Sequence, residues 1–345
     1  MNLTELNRIA TALVAPGKGI LAADESSGTI KKRFDAIGVE STEENRRDYR
    51  EMLFRSNEAM RQHISGVILY DETIWQDAKD GTPLVKLIEQ SGAIPGIKVD
   101  EGTQALPNCP GELITAGLDK LAERLKKYYE RGARFAKWRA VIDIGAGIPT
   151  MTAISVNAHA LARYAALCQA AQIVPIVEPE VLMDGDHDIE RCYEVTQRVL
   201  NKTFQELRVQ RVELEGMVLK PNMAISGKKS PKQASVDEVA EKTVRLLKAC
   251  VPAAVPGIAF LSGGQSDEQA TAHLNAMNRI GGLHSSLPWR LTFSYGRALQ
   301  AAPQKAWSGR PENIASGQRA FTHRAKMNAL ASKGEWETGL EKKVA

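Results

Sequence analysis

Eight short apolar runs punctuate the chain, each separated from the next by enough residues for a helix. They are Gly19–Asp24, Gly66–Asp71, Ile94–Asp100, Arg134–Ile142, Ile173–Glu180, Gly216–Asn222, Gly257–Gly264 and Arg290–Gly296. Each is bounded by Gly, Pro or polar residues, which is how a strand buried on both faces of a parallel sheet reads. The segments between them carry helical spacing. Ser235 and Glu238 form the sequence of a capping box, and Val239, Ala240, Val244 and Leu247 then recur on one face. Ile189, Cys192, Tyr193, Val199 and Leu200 make a second apolar stripe, and Thr42-Glu43-Glu44 opens a polar helix running towards His63. Strand then helix, eight times over, predicts a closed (β/α)8 TIM barrel, with a doubly wound open sheet as the alternative. The whole chain, 1–345, reads as one domain with a short N-terminal helix and a C-terminal helix beyond Phe321. The polar stretch 334–345 is expected to be a mobile tail.

Composition narrows the function classes. The 345 residues are 43% hydrophobic and 25% charged, ordinary for a globular protein. Forty-five basic against 41 acidic residues leave a formal charge of +4, and no dense Lys/Arg block is interleaved with aromatics, so a nucleic-acid partner is not expected. Cys109, Cys168, Cys192 and Cys250 lie far apart without a CxxC pair, which argues against a disulfide framework and for a reducing, cytoplasmic compartment. No run approaches eighteen apolar residues, so no membrane partner is expected.

Charged residues stand at the C-terminal ends of the apolar runs. Asp24 ends the first, Lys98 the third, Lys137 and Arg139 the fourth, Glu178 and Glu180 the fifth, and Lys220 the sixth; Ser262 and Ser294 end the last two. In a barrel these ends converge on one mouth. Alternation along a strand puts Phe135, Lys137 and Arg139 on one face, Val174, Ile176, Glu178 and Glu180 on one face, and Val218 with Lys220. A single such lysine is ordinarily a rim residue reaching water. Several buried lysines and carboxylates together cost several kcal/mol each if unpaired, and a fold tolerates that mainly where chemistry needs it. A lysine is a nucleophile only as the neutral amine, a form that burial and a neighbouring cation both favour. Lys220, between Leu219 and Pro221, is the best candidate, with Lys137 as the neighbouring charge. A neutral amine attacks a ketone to give an imine, whose protonated form withdraws electrons so that an adjacent carbon–carbon bond can break. Glu178 can protonate the departing water, and Asp24 can take the proton of the hydroxyl whose bond breaks.

Two segments suit phosphate. Ser262, Gly263 and Gly264 follow the seventh run, and Ser294, Gly296 and Arg297 the eighth, where barrels commonly bind phosphate on glycine amides and a helix N-terminus. A second basic group, Lys31, Lys32 and Arg33, lies just past Asp24, and reads equally as a solvated helix face. Two phosphate sites imply a substrate phosphorylated at both ends.

At these residues the sequence closely resembles class I fructose-1,6-bisphosphate aldolase. The matching segments are Ala15–Ser26, Ser41–Arg50, GIKVD, FAKWR, PIVEPE, Asp184–Asp188, LKPNM, FLSGGQS and LTFSYGRALQ, spread over nearly the whole chain. The resemblance implies a TIM-barrel homotetramer that uses no metal or other cofactor and cleaves fructose 1,6-bisphosphate reversibly to dihydroxyacetone phosphate and glyceraldehyde 3-phosphate. It makes Lys220 the imine-forming lysine, Glu178 the general acid/base supported by Glu180, and Asp24 the group serving the C4 hydroxyl. Lys137, Arg139 and Lys98 would tune and orient the site. Ser262, Gly263, Gly264, Ser294, Gly296 and Arg297 would hold the ketone-side phosphate, and Ser26, Ser27, Lys32 and Arg33 would lie near the other. One departure stands out: animal and plant members end in a tyrosine that assists proton exchange, whereas this chain ends Lys342-Lys-Val-Ala345 and its last tyrosine is Tyr295.

A zinc-dependent aldolase would need clustered histidines, and the six here, His63, His159, His187, His273, His284 and His323, lack ligand spacing. Asp184-Gly-Asp-His187-Asp188 looks metal-like in isolation, but acids favour a helix N-terminus and an apolar stripe follows. EDTA is therefore expected to leave activity intact. A transaldolase-like enzyme would share the imine but not the need for two phosphate sites, and a substrate panel separates the two. A non-catalytic scaffold would have little reason to keep Lys220, Glu178, Asp24 and Lys137 together.

Overall fold

Each of the eight apolar runs forms a strand. In the computed structural model, which describes residues 1–284 and 287–342, they are β1 (Gly19–Ala23), β2 (Ile64–Leu69), β3 (Ile94–Lys98), β4 (Phe135–Ile142), β5 (Val174–Val181), β6 (Val218–Leu219), β7 (Gly257–Phe260) and β8 (Arg290–Tyr295). They close into one parallel barrel in sequential order, β8 pairing with β1 through Ile20 and Ser294. The longest pairing is between β4 and β5, from Phe135 opposite Val174 to Ile142 opposite Val181. β6 is the shortest because Pro221 cannot donate to a ladder; its last rung is the Lys220 N–H to Val177 O, 2.8 Å.

Alternation sorts the apolar residues into two cores. Ile20, Ala22, Ile68, Phe135, Val174, Ile176, Val218 and Ala259 fill the inside of the barrel. Residues of the opposite parity, such as Leu21, Ala136, Trp138, Val177 and Leu219, pack outward against the helices. Gly96 is required inside: a Cβ there would fall 2.3 Å from the Phe135 ring. The N-terminal helix Leu3–Leu13, capped by Asn2, lays Leu6, Ile9, Ala10 and Leu13 across the lower end of the barrel and joins the inner core. The C-terminal ends of the strands face an open mouth.

Four local differences from the sequence reading stand out. The helix from Thr42 towards His63 is two helices, Glu43–Phe54 and Asn57–Gln62. Ser56 breaks it, its hydroxyl bonding back to Met52 O at 3.0 Å while its N–H goes to Leu53 O. A hairpin, Thr103–Ala105 paired antiparallel with Leu113–Thr115, follows β3. Within the segment expected to be mobile, Trp336 is buried, its N–H bonds Asn275 Oδ1 at 2.9 Å, and Glu341 is gripped by Arg324, His323 and the Trp336 indole. Residues 343–345 lie outside the described residues. The helix beyond Phe321 is the end of a longer one, Ile314–Ala331.

Candidate active site

The register of β4 against β5 builds the centre of the mouth. Arg139 stands opposite Glu178 and Lys137 opposite Ile176, so inward side chains interleave in layers. The lower layer is apolar. One step up, Lys137, Glu178 and Lys220 point the same way and are 4%, 3% and 4% exposed. Trp138, between Lys137 and Arg139, points outward and stacks near Tyr164 at 5.6 Å, which locks the strand's facing.

These residues meet as one network. Lys220 Nζ is 3.2 Å from Glu178 Oε1, and Lys137 Nζ is 3.6 Å from Glu178 Oε2. Lys137 also lies 2.7 Å from Asp24 Oδ2 and 3.7 Å from Asp100 Oδ2. Lys98 pairs with Asp100 at 2.9 Å, and Arg139 with Glu180. Burial opposes the charged form of Lys137, but Asp24, Glu178 and Asp100 outweigh it and push the ammonium well above the ordinary lysine range. Burial alone would raise the Asp24 carboxyl; Lys137 and Lys220 overcome that and hold it at about 2. Lys137 is thus a fixed positive charge shared by three carboxylates. Glu178 Oε2 and Ser294 Oγ are buried without a hydrogen-bond partner in the protein, and both face the mouth.

The mouth is a cavity of about 1080 Å³, lined by Asp24, Ser26, Lys32, Arg33, Lys98, Lys137, Arg139, Glu178, Glu180, Lys220, Ser262, Gly263, Ser294, Gly296 and Arg297. Of the residues singled out from the sequence as candidates for phosphate, Ser27, Lys31 and Gly264 do not line it; Ser27 is exposed at the start of the helix Ser27–Asp35. Ser26 precedes that helix and bonds Thr29. Arg33 pairs with Glu25 and lies beside Gly296, 3.8 Å from where a Cβ on that glycine would sit, so it stands between the two expected phosphate clusters. Arg297 donates to Gly263 O at 3.3 Å and Gln265 O at 3.2 Å; carbonyl oxygens hold its orientation without cancelling its charge. Lys98, Lys137, Arg139 and Lys220 at the centre face Asp24, Asp100, Glu178 and Glu180, four against four. The cations Lys32, Arg33 and Arg297 stand around them in the same lining.

Two functional carboxylates were missed in the sequence. Asp100 shares a face with Lys98, two residues before it, and the alternation rule would have found it. Glu25 points away from Asp24 and joins Arg33, Gln300 and Arg50; its partners come from distant segments and leave no local signal. In the Asp184–Asp188 segment, Asp188 caps the helix Ile189–Val209 through Arg191 N–H, as read from the sequence.

A family model described as fructose-bisphosphate aldolase class-I matches residues 5–345. A probable fructose-bisphosphate aldolase class 1 of Xanthomonas campestris pv. campestris is 58% identical over 338 residues, covering 98% of this chain and 100% of that protein. Fructose-bisphosphate aldolase 1 of Toxoplasma gondii is 56% identical, covering 97% and 92%. The solved structure of the Plasmodium falciparum aldolase, in complex with TRAP and a small-molecule inhibitor, superimposes with a TM-score of 0.94 at 49% identity, covering 98% of this chain and 96% of that one.

Proposed function

The chain belongs to the class-I fructose-bisphosphate aldolase family, and on that premise we propose that Lys220 forms the imine through which the enzyme works. The enzyme is a lyase of glycolysis and gluconeogenesis that cleaves fructose 1,6-bisphosphate reversibly to dihydroxyacetone phosphate and glyceraldehyde 3-phosphate through a lysine Schiff base. One observation carries the assignment to Lys220: its amine is buried at the floor of the mouth, 3.2 Å from a carboxylate whose other oxygen faces Lys137.

In this reading Glu178 takes a proton from the Lys220 ammonium, and the freed amine adds to the C2 ketone. Glu178 returns that proton to the carbinolamine hydroxyl, which leaves as water and gives the iminium. The C4 hydroxyl then loses its proton, the C3–C4 electron pair moves to the iminium nitrogen, and glyceraldehyde 3-phosphate departs from the enamine. Asp24 accepts the C4 hydroxyl's hydrogen bond. Held at about 2, it is a weak base and keeps the proton only transiently. Lys137, in contact with both Asp24 and Glu178, couples the two carboxylates. Protonation of the enamine carbon and addition of water to the imine release dihydroxyacetone phosphate. Tyr295 takes no part in these proton transfers, since its hydroxyl is buried and donates to Ala270 O at 3.0 Å. Arg139, Glu180 and Lys98 orient the centre. Ser262, Gly263, Ser294, Gly296 and Arg297 take the ketone-side phosphate, with Gly264 supporting their turn. Ser26, Lys32 and Arg33 serve the other phosphate, and Ser27 supplies the turn of helix beneath them.

Borohydride reduction in the presence of dihydroxyacetone phosphate tests the assignment. Peptide mapping should place the adduct on Lys220; an adduct on Lys137 or Lys98 would sink it. Glu178→Gln should lower kcat by roughly 10²–10⁴-fold while KM changes little, because the amide cannot carry the proton in either direction. Stopped-flow trapping should show imine formation slowed by a similar factor; unimpaired imine formation would remove Glu178 from this step.

A homotetramer in the cytoplasm completes the proposal. It is supported by exposed Trp75, Tyr129, Met151 and Val209, apolar surface that a partner subunit would cover, and by four free thiols. Among the described residues, no helix is long and apolar enough to cross a membrane. Light scattering of the purified protein checks the assembly.

A further inference from the structure

The loop leaving β6 folds back across the loop leaving β5. Three successive amides lace them together: Gly227 N–H to His187 O at 2.8 Å, Lys228 to Met183 O at 2.7 Å and Lys229 to Gly185 O at 3.0 Å. The lacing fixes the backbone of Lys228, and its side chain runs over the turn that follows β7. A Cβ built on Gly264 would fall 1.9 Å from Lys228 Cε and 2.3 Å from its Nζ. The ammonium thus lies against the Gly264 backbone, and a side chain there would push it away. Met183 Sδ, which accepts the Gly264 N–H at 2.8 Å, lies beside it. Arg297 holds the same turn through the carbonyls of Gly263 and Gln265. Two cations thus touch the turn. Lys228 pairs with Asp184 at 2.6 Å, but the two side chains are 42% and 60% exposed, and an ion pair that exposed is weakly held.

We propose that Lys228 is a further binding residue for the ketone-side phosphate, its ammonium leaving Asp184 for the dianion lodged against Ser262, Gly263, Ser294, Gly296 and Arg297. The charge count favours it. Arg297 supplies one charge to this rim, and a phosphate dianion carries about two. A dianion also competes better for an ammonium than a solvated carboxylate does. The proposal rests on the reading of that rim as a phosphate site, and the experiment separates the two.

In the condensation direction, Lys228→Met should raise KM for dihydroxyacetone phosphate about tenfold with kcat retained, and should weaken inhibition by inorganic phosphate by a similar factor. Lys228→Arg should restore both. Gly264→Ala, which pushes the ammonium off the turn without removing it, should move KM the same way. Binding of unphosphorylated dihydroxyacetone, followed by borohydride trapping, should not change in Lys228→Met. Arg297→Met is the reference. If it raises KM and Lys228→Met does not, the role of Lys228 is overturned and the phosphate site stands. If neither substitution moves KM, the site itself is misplaced. Equal losses for the phosphorylated and unphosphorylated ketones would also overturn the proposal, since they would make Lys228 a structural prop.

Discussion

Replacing Lys220 with Ala should abolish the borohydride-trapped adduct and lower kcat by about four orders of magnitude or more. In the proposed mechanism the substitution removes the nitrogen that bonds to the substrate. Lys137, which shares Glu178 with Lys220, is a poor replacement because Asp24, Glu178 and Asp100 hold it as an ammonium. Lys220→Arg should fail just as completely. It keeps the positive charge beside Glu178, but a guanidinium does not lose its proton and cannot attack a ketone. The pair of variants therefore separates charge from nucleophilicity. Mass spectrometry of the reduced complex and steady-state rates check both, and residual turnover of Lys220→Arg above one per cent would defeat the assignment. The fold should persist in both variants, because Lys137 still faces Glu178 and Val218 and Leu219 keep their packing.

Lys137→Met should be the most destabilising single change at the mouth, costing about 3–5 kcal/mol at pH 7. It leaves Asp24, Asp100 and Glu178 facing one another without the cation they share. The pH dependence carries the diagnostic sign. In the native protein Asp24 titrates at about 2, below the ordinary 3.8. Its ion pairing thus contributes about 2 kcal/mol above pH 3.8, lost as the pH falls through 2. In the variant the main lowering influence is gone and burial, opposed by Lys220 and Lys98, moves the carboxyl upward. Protonation then favours the folded form, so the variant should recover stability as the pH falls. Thermal melts at pH 7 and pH 5 should show the gap to the native protein narrowing at pH 5. A constant or widening gap would show that Lys137 does not carry the compensating charge. Catalysis should fall with it, since Glu178 and Asp24 lose the group that couples them.

Much of this was legible in the chain because a parallel barrel imposes two simple rules. Its strands are buried on both faces and appear as short apolar runs, and their alternation sends Lys137, Glu178 and Lys220 inward on the same parity as Phe135, Ile176 and Val218. What escaped notice depends on residues distant in sequence. Glu25 owes its burial to Gln300 and Arg50, and Lys228 owes its position to the lacing of two loops. Neither carries a periodic signature, and Lys228-Lys229 in isolation is a charged loop. The break at Ser56 turns on one hydroxyl bonding back to Met52, which propensity alone does not distinguish from an intact turn. The docking of Trp336 and Glu341 likewise depends on Asn275 and Arg324, far from a tail whose composition is that of a solvated segment.

Among the described residues, the helix Leu3–Leu13 stoppers the lower end of the barrel and leaves the mouth as the doorway. Sugar, triose, the water shed when the imine forms and the water that later splits it all share that passage. In the proposed mechanism, a ligand standing in that doorway would screen the bond to Lys220 from bulk water by its own bulk, without a separate lid.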